Sequence, residues 1–186
     1  MKDYSTTKTL ILGDKGEQWF ADWCRCNNKN AINCGKDEFL GFDCGIDFIV
    51  LNFTNGKLSK WDAKTDSLIH STGNMFIEMY SDLHNKEHGW YFKSKADCIC
   101  YIDEYNEILY LFGKKSLQLY MEEHELKSAN CTDYFTSFTK VRQGKLVSIS
   151  KFEQWCLENK KHFAKENRCI IDDTNYGEDM DIKGVA

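Results

Sequence analysis

Apolar and polar residues alternate over many short stretches of the chain, and this pattern predicts a protein rich in β-strands. Alternation bounded by Gly, Asn and Asp is typical of strands and of the turns that join them. We expect strands at residues 46–53, 57–64, 75–80, 97–103, 107–112, 138–142 and 145–150. Asn55-Gly56 after the first strand and Gln143-Gly144 before the last are hairpin signals.

Apolar residues spaced three and four apart predict the helices. We expect them at residues 14–27, 116–127 and 150–167, with a short helix within 82–96 and a loop over 28–44. The first helix would begin with Asp14 as its N-cap and Glu17 three residues later. The last would begin with the capping box formed by Ser150 and Glu153.

Glu17 lies on an otherwise apolar stripe of the first predicted helix. It shares that stripe with Phe20, Ala21 and Cys24 at the spacing of an amphipathic helix. A carboxylate on a core-facing surface needs a partner or a metal ion. The simpler interpretation is a residue of the first helical turn that favours the helix dipole.

The order of the predicted elements indicates an α/β protein. A helix, three strands, a short helix and two strands precede a helix-and-hairpin extension, which predicts an α/β sandwich around a mixed sheet. We expect a single domain over residues 1–168, with a core at about 13–112. Residues 169–186 are acidic and poor in apolar side chains, which predicts a solvated tail.

Composition narrows the classes of function. The chain has 186 residues and a formal net charge of −5, which argues against a protein that coats nucleic acid non-specifically but not against a nuclease. No apolar segment resembles a signal peptide or a membrane span, so we expect a cytoplasmic protein of a bacterial, phage or viral host cell. Nine cysteines in such a protein are expected to be reduced thiols.

Two carboxylates and a lysine fall near the ends of the first two predicted strands. Asp47 precedes the apolar run 48–51, and Asp62 and Lys64 leave the same face of the second strand. The hairpin between them brings Asp47 and Asp62 to roughly the ~5 Å of cross-strand neighbours. Mg²⁺ prefers oxygen ligands, and phosphodiester hydrolysis needs such a cation, an activated water and stabilised charge.

This order of residues resembles the PD-(D/E)XK nuclease superfamily. The matching pieces are Gly45-Ile46-Asp47, Asp62-Ala63-Lys64 and Glu17 upstream. Residues 72–78, which read TGNMFIE, look like the TGN-x-x-x-E segment of a phage and bacterial branch of these nucleases. The segment from Gly89 to Ala96-Asp97 looks like that branch's Gly-x(n)-Ala-Asp segment. The resemblance covers about residues 13–112 and implies a restriction-endonuclease-like αβββαβ core.

The resemblance also implies a role for each matching residue. It implies a Mg²⁺ or Mn²⁺ ion held by Asp47, Asp62, the backbone carbonyl of Ala63 and Glu17. Lys64 would be the catalytic lysine, and Glu78 would lie on the third strand and face the same edge. The residues expected to contact the substrate are Thr72, Asn74, Lys93 and Lys95. The expected partner is DNA, with RNA as the weaker alternative, and many relatives act as homodimers.

Other kinds of site fit the sequence less well. The Cys24-Arg25-Cys26 and Cys98-Ile99-Cys100 pairs lack the spacing of zinc ligands, so no zinc or iron-sulfur cluster is expected. No phosphate-binding loop of the Walker type is present in the sequence, so no NTP is expected to bind. The alternative to an enzyme is a nuclease-fold module that has lost catalysis and binds DNA or a protein partner.

Overall fold

The fold is known from a computed structural model that describes residues 4–134 and 139–170. Its α-helices are α1 (Tyr4–Cys26), α2 (Ile69–Thr72), α3 (Trp90–Lys93), α4 (Lys114–Glu123) and α5 (Ile149–Glu158), and a π-helix spans Glu38–Asp43. The strands are β1 (Lys29–Asn33), β2 (Phe48–Asn52), β3 (Lys57–Asp66), β4 (Asn74–Asp82), β5 (Glu87–His88), β6 (Cys98–Asp103), β7 (Ile108–Gly113), β8 (Ser128–Tyr134), β9 (Thr139–Ser148) and β10 (Phe163–Asn167). None of the helices in this described part is long and apolar enough to cross a membrane.

The strands form two sheets, which confirms an α/β protein with a mixed sheet. The larger sheet has six strands in the order β1-β2-β3-β6-β7-β10, and its β3 and β6 run parallel while every other neighbouring pair is antiparallel. The smaller sheet is antiparallel, in the order β5-β4-β9-β8. The helix-bearing connection from β3 to β6 is long because parallel strands cannot be joined by a tight turn.

Each face of the larger sheet carries its own core. Helix α1 packs Phe20 and Trp23 onto Phe48, Val50 and neighbouring residues of one face. Helices α4 and α5 and the smaller sheet cover the other face. Burying such side chains stabilises the fold by roughly 1.5–3 kcal/mol each.

A buried tyrosine joins the two sheets. The hydroxyl of Tyr101 on β6 donates to Asp66 Oδ2 at 2.8 Å and accepts from the Phe76 amide of β4 at 2.9 Å.

The strand predicted at 75–80 exists as β4, but it belongs to the smaller sheet and pairs with β5 and β9. The expectation that it is the third strand of the central sheet is wrong, because its inner face covers that sheet rather than extending it.

The first helix and the segment after it differ from the prediction. Helix α1 begins at Tyr4, so Asp14 lies inside the helix and is not its N-cap. A single residue of low helix propensity costs less than about 1 kcal/mol, and the helix therefore continues through it. The segment 28–44 is not a loop, since it contains β1 and the π-helix. The pattern of apolar and polar residues does not predict β1, because β1 is a short, largely polar strand at the edge of its sheet.

The hairpin expected around Gln143-Gly144 is a single strand. Strand β9 runs through both residues and is paired on either side, with β4 and with β8. Gly144 lies opposite Glu78, where an added Cβ would come within 2.7 Å of the Ile77 carbonyl oxygen. This glycine therefore permits a close approach of two strands and does not mark a turn.

The C-terminal part of the chain also differs from the prediction. Helix α5 ends at Glu158, and the chain turns at Lys160 with φ of 52° before β10. Cys26 and Cys169 form a disulfide, so the expectation of nine reduced thiols is wrong for this pair. The predicted tail over 169–186 falls, from residue 171 on, outside the described residues.

Candidate active site

The β2–β3 hairpin brings Asp47 and Asp62 together. Phe48 pairs with Trp61, and the Asp47 amide also donates to the Trp61 carbonyl at 2.9 Å, so both residues lie against Trp61 at the start of β2. Asp47 Oδ2 accepts a hydrogen bond from the Ala63 amide at 2.8 Å. Because the N–H and C=O of one strand residue point to the same neighbour, the Ala63 carbonyl faces Asp47 as well.

Asp62 is a buried carboxylate whose oxygens are poorly satisfied. Its side chain is 0 % exposed, and apart from the ion pair with Lys64 neither oxygen accepts a hydrogen bond from the described residues. Burial raises the pKa of Asp62 to about 7; Lys64 opposes this change, and the nearby Asp47 adds to it. A buried charge with unsatisfied oxygens is costly, so this side chain is suited to a cation.

Lys64 supplies the nearest positive charge. Its ammonium is ion-paired with Asp62 Oδ1 and lies 3.8 Å from Asp47 Oδ2. Burial lowers the pKa of Lys64, but the charges of Asp62 and Asp47 outweigh burial and raise it overall. Lys64 is therefore a stable cation, and with 27 % of its side chain exposed it is accessible from solvent.

Glu17 reaches the same region from α1. The Asn33 amide group donates to Glu17 Oε2 at 3.0 Å. A Cβ built on Gly35 would lie 3.6 Å from Glu17 Oε2, 3.6 Å from Asp47 Oδ1 and 3.5 Å from Asn33 Oδ1. Three oxygens thus surround one small residue beside Asp47.

The environment of Glu17 is electrostatically unfavourable for a carboxylate. Burial raises the pKa of Glu17, the hydrogen bond from Asn33 lowers it, and Asp47 raises it further. A cavity of about 320 Å³ between α1 and β1 is lined by Glu17, Asn33, Lys36 and neighbouring residues. Asn33 was not found by sequence reasoning, because the segment that contains it was predicted as a loop.

Glu78 lies on β4 of the smaller sheet. Its Oε2 is 3.4 Å from Arg142 Nη1 on β9. Its charge adds, as a smaller contribution than those of Asp62 and Asp47, to the raised pKa of Lys64. The third strand on which Glu78 was expected belongs to the smaller sheet, so Glu78 does not lie on the sheet that carries Asp62. Arg142 was missed, because nothing in the sequence links it to a residue 64 positions away.

The residues expected to contact substrate do not all face this region. Thr72 and Asn74 hydrogen-bond to each other, with the Asn74 side chain donating to the Thr72 carbonyl at 2.6 Å, and they shape the entry to β4. Lys93 is ion-paired with Glu87 at 2.9 Å, and Lys95 is exposed. Trp90 lies closer to the site, with Lys64 Nζ 6.0 Å from the centre of its ring.

The side chains suit a hard divalent cation in part. Oxygen ligands are offered by Asp47, Asp62 and the Ala63 carbonyl. In the part of the chain that the structure describes, Lys64 is the one cation paired with Asp62. Mg²⁺ is usually bound by one or two carboxylates together with waters and substrate phosphates. Among residues 4–134 and 139–170, no group of three His, Cys, Asp or Glu side chains is placed to hold a metal ion by itself.

Comparisons with known proteins do not extend these observations. No protein-family model, characterised protein or solved structure matches the chain.

Proposed function

We propose that the protein is an Mg²⁺- or Mn²⁺-dependent endonuclease that hydrolyses phosphodiester bonds, in DNA first of all. The observation that carries the proposal is the buried Asp62 carboxylate, which lies beside Asp47 and is paired, within residues 4–134 and 139–170, with no cation other than the Lys64 ammonium. The proposal includes a restriction-endonuclease-like core made of α1, the β2–β3 hairpin and β6. In that core, β4 covers the central sheet instead of joining it.

Each residue of the site has a distinct task in this proposal. Asp47, Asp62 and the Ala63 carbonyl hold the cation, and Glu17 supports it from α1. The bound cation supplies Lewis-acid polarisation of the phosphate and of the attacking water. Lys64 remains protonated, so it acts by donating hydrogen bonds and stabilising negative charge and not as a general base.

The reaction is a hydrolysis whose atoms balance without a further reactant. A water oxygen forms a new bond to phosphorus, the bond to the leaving sugar oxygen breaks, and the proton lost by the water balances the one gained by the leaving oxygen. Lys64 lies beside both acids, where its ammonium can orient the water and steady the charge on the phosphate oxygens. The buried position of Asp62 keeps bulk water away from its carboxylate.

The proposal is tested by incubating the protein with supercoiled circular DNA and with branched DNA in Mg²⁺. Wild type should nick or cleave at least one of these substrates, and Asp62→Ala and Lys64→Ala should both lose that activity. Lys60→Ala is the matched control, because Lys60 lies on the same strand and face but is ion-paired with Asp97 on the surface. Equal activity of Asp62→Ala and wild type contradicts the assignment.

One observation favours a binding module that does not catalyse. The described residues contain no group of three metal-binding side chains, and Lys64 already neutralises Asp62. On this second proposal, the protein binds DNA or a protein partner through the same surface. Calorimetric titration with Mn²⁺ separates the two proposals. The enzyme should give a heat of Mn²⁺ binding that Asp62→Asn abolishes, whereas the module should give no such heat. Matched RNA and DNA substrates decide the sugar preference of the enzyme.

A further inference from the structure

Lys114 is a buried lysine next to the proposed site. It is the first residue of α4, directly after β7, and it is 7 % exposed. Its Nζ donates to the backbone carbonyl of Ser94. Among the described residues, no carboxylate forms an ion pair with it. Burying an ammonium without an anionic partner costs several kcal/mol, so core packing alone does not explain this residue.

The contact with Ser94 leads to the turn before Asp47. Ser94 is 2 % exposed, and its hydroxyl donates to the Gly45 carbonyl at 3.2 Å. The next residue continues the connection, since the Lys95 amide donates to the Cys44 carbonyl at 2.7 Å. Two hydrogen bonds thus fasten the segment after α3 to the backbone just before β2.

Gly45 is fitted to this contact. Its φ of +57° is a backbone conformation that residues with a side chain rarely adopt, and a Cβ at this position would lie 3.1 Å from Ser94 Cα. The turn at Gly45 therefore has little freedom while Ser94 stays in place. Asp47 follows two residues later, so the contact with Ser94 helps to fix the backbone from which the Asp47 side chain extends, together with the bonds of Asp47 to Trp61 and Cys34.

Burial lowers the pKa of Lys114, and the negative charge of Asp62 opposes that change only in part. A lowered pKa agrees with a buried ammonium that is held by the Ser94 carbonyl and forms no ion pair within the described part of the chain.

We propose that Lys114 is a positioning residue of the active site, which holds Ser94 and, through it, the Gly45 turn that aims Asp47. The effect of Lys114 on cleavage rests on the proposed function. The effect of Lys114 on the position of Asp47 is independent of that function. Lys114 does not contact the reacting atoms. It orders the proposed metal-binding carboxylate of Asp47 through two hydrogen bonds.

Hydrogen exchange tests the positioning directly, without metal or substrate. The reporter is the Ala63 amide, which donates to Asp47 Oδ2 and loses protection when Asp47 moves. In Lys114→Met its exchange should be about tenfold faster than in wild type, and Lys114→Arg should restore protection. Lys115→Met is the matched control, because Lys115 is adjacent in sequence and exposed, and it should exchange as wild type does.

Kinetics provide the second measurement. Lys114→Met should lower kcat by about 10–100-fold with little change in KM, as for residues that orient metal ligands. If Lys114→Met does not fold, Ser94→Ala tests the second link. It removes the hydroxyl that donates to Gly45 and also accepts from the Ala96 amide, and it leaves the Ser94 carbonyl that Lys114 contacts. Wild-type protection of Ala63 in Ser94→Ala and in any folded Lys114→Met overturns the inference. If wild type does not cleave DNA, the proposed function fails, while the exchange result still decides the role of Lys114.

Discussion

Two buried aspartates on neighbouring strands have opposite surroundings. Asp62 on β3 and Asp103 on β6 are 0 % and 1 % exposed, and their strands run parallel. Asp103 accepts hydrogen bonds from the backbone amide and the side chain of Asn106, at 3.1 and 2.8 Å, within the turn to β7. Within the described ranges, Asp62 contacts the Lys64 ammonium and the Asp47 carboxyl group, and no backbone or side-chain amide donates to it.

The difference separates a structural carboxylate from one available to a ligand. Donors three residues away satisfy Asp103, so its burial stabilises a turn. No such local donors lie around Asp62 in the described part of the chain, and the nearby Asp47 makes its charge harder to bury. Buried polar groups without partners are rare in native proteins, and each calls for an explanation such as a catalytic role. For this reason Asp62, and not Asp103, is the aspartate that we propose as a metal ligand.

The largest expected effect is that of Asp62→Asn on cleavage. We expect a loss of about 10³-fold in kcat, because the transition-state stabilisation that a metal supplies is worth several kcal/mol. Asp103→Asn should keep nearly all activity at a temperature where it is folded. The assay is nicking of supercoiled DNA in Mg²⁺, and the contrast between the two residues fails if both variants lose activity to the same extent.

A smaller loss is expected for Lys64→Met. Removing one preorganised group that stabilises transition-state charge costs about 10²–10³ in kcat, and we expect the lower figure because the metal ligands remain. Lys64→Arg should recover part of the rate, since it keeps the charge. Single-turnover rates at saturating Mg²⁺ measure this, and a Lys64→Met rate equal to that of Lys60→Met would show that the position of the lysine does not matter.

Asp103→Ala should affect stability and not chemistry. It removes the two hydrogen bonds that the Asp103 carboxylate accepts from Asn106, and at about 0.5–1.5 kcal/mol for each bond we expect a loss of about 1–3 kcal/mol. Urea unfolding of the metal-free protein measures the free energy of unfolding. An Asp103→Ala protein as stable as wild type would remove the structural half of the comparison.

The smallest effect on activity is expected for Glu17→Gln. The substitution keeps a side chain that can hydrogen-bond to Asn33 but removes the negative charge. We therefore expect about tenfold weaker Mn²⁺ binding, the low end of the ~10–100-fold range for residues that support metal ligands. Calorimetric titration measures this affinity. Gln18→Ala is the matched control on the same helix, because Gln18 donates to Asp22 and its loss should leave Mn²⁺ binding as in wild type. Equal affinities of Glu17→Gln and Gln18→Ala would remove Glu17 from the metal site.

The sequence predicts the central hairpin because its information is local. Asn55-Gly56 marks the turn, and the two-residue period of β3 places Asp62 and Lys64 on one face. The partners that come from distant segments could not be predicted in this way. Lys114 approaches the site only after β7 has paired with β6, and Arg142 approaches Glu78 only after the smaller sheet has formed.

Local signals also misled the prediction where tertiary contacts decide the structure. Gln143-Gly144 has the composition of a turn, but pairing with β4 on one side and β8 on the other keeps β9 extended. Gly144 has no side chain, and this permits the close approach of β4. Cys26 and Cys169 are 143 residues apart, so only the folded chain shows that they meet.

The most direct measurement is a crystal structure of the protein grown with Mn²⁺, with anomalous data collected for the metal. The account predicts an anomalous peak between the Asp47 and Asp62 carboxylates, with the Lys64 ammonium displaced from Asp62. No peak at this position, with Lys64 still ion-paired to Asp62 in saturating Mn²⁺, would contradict the central claim.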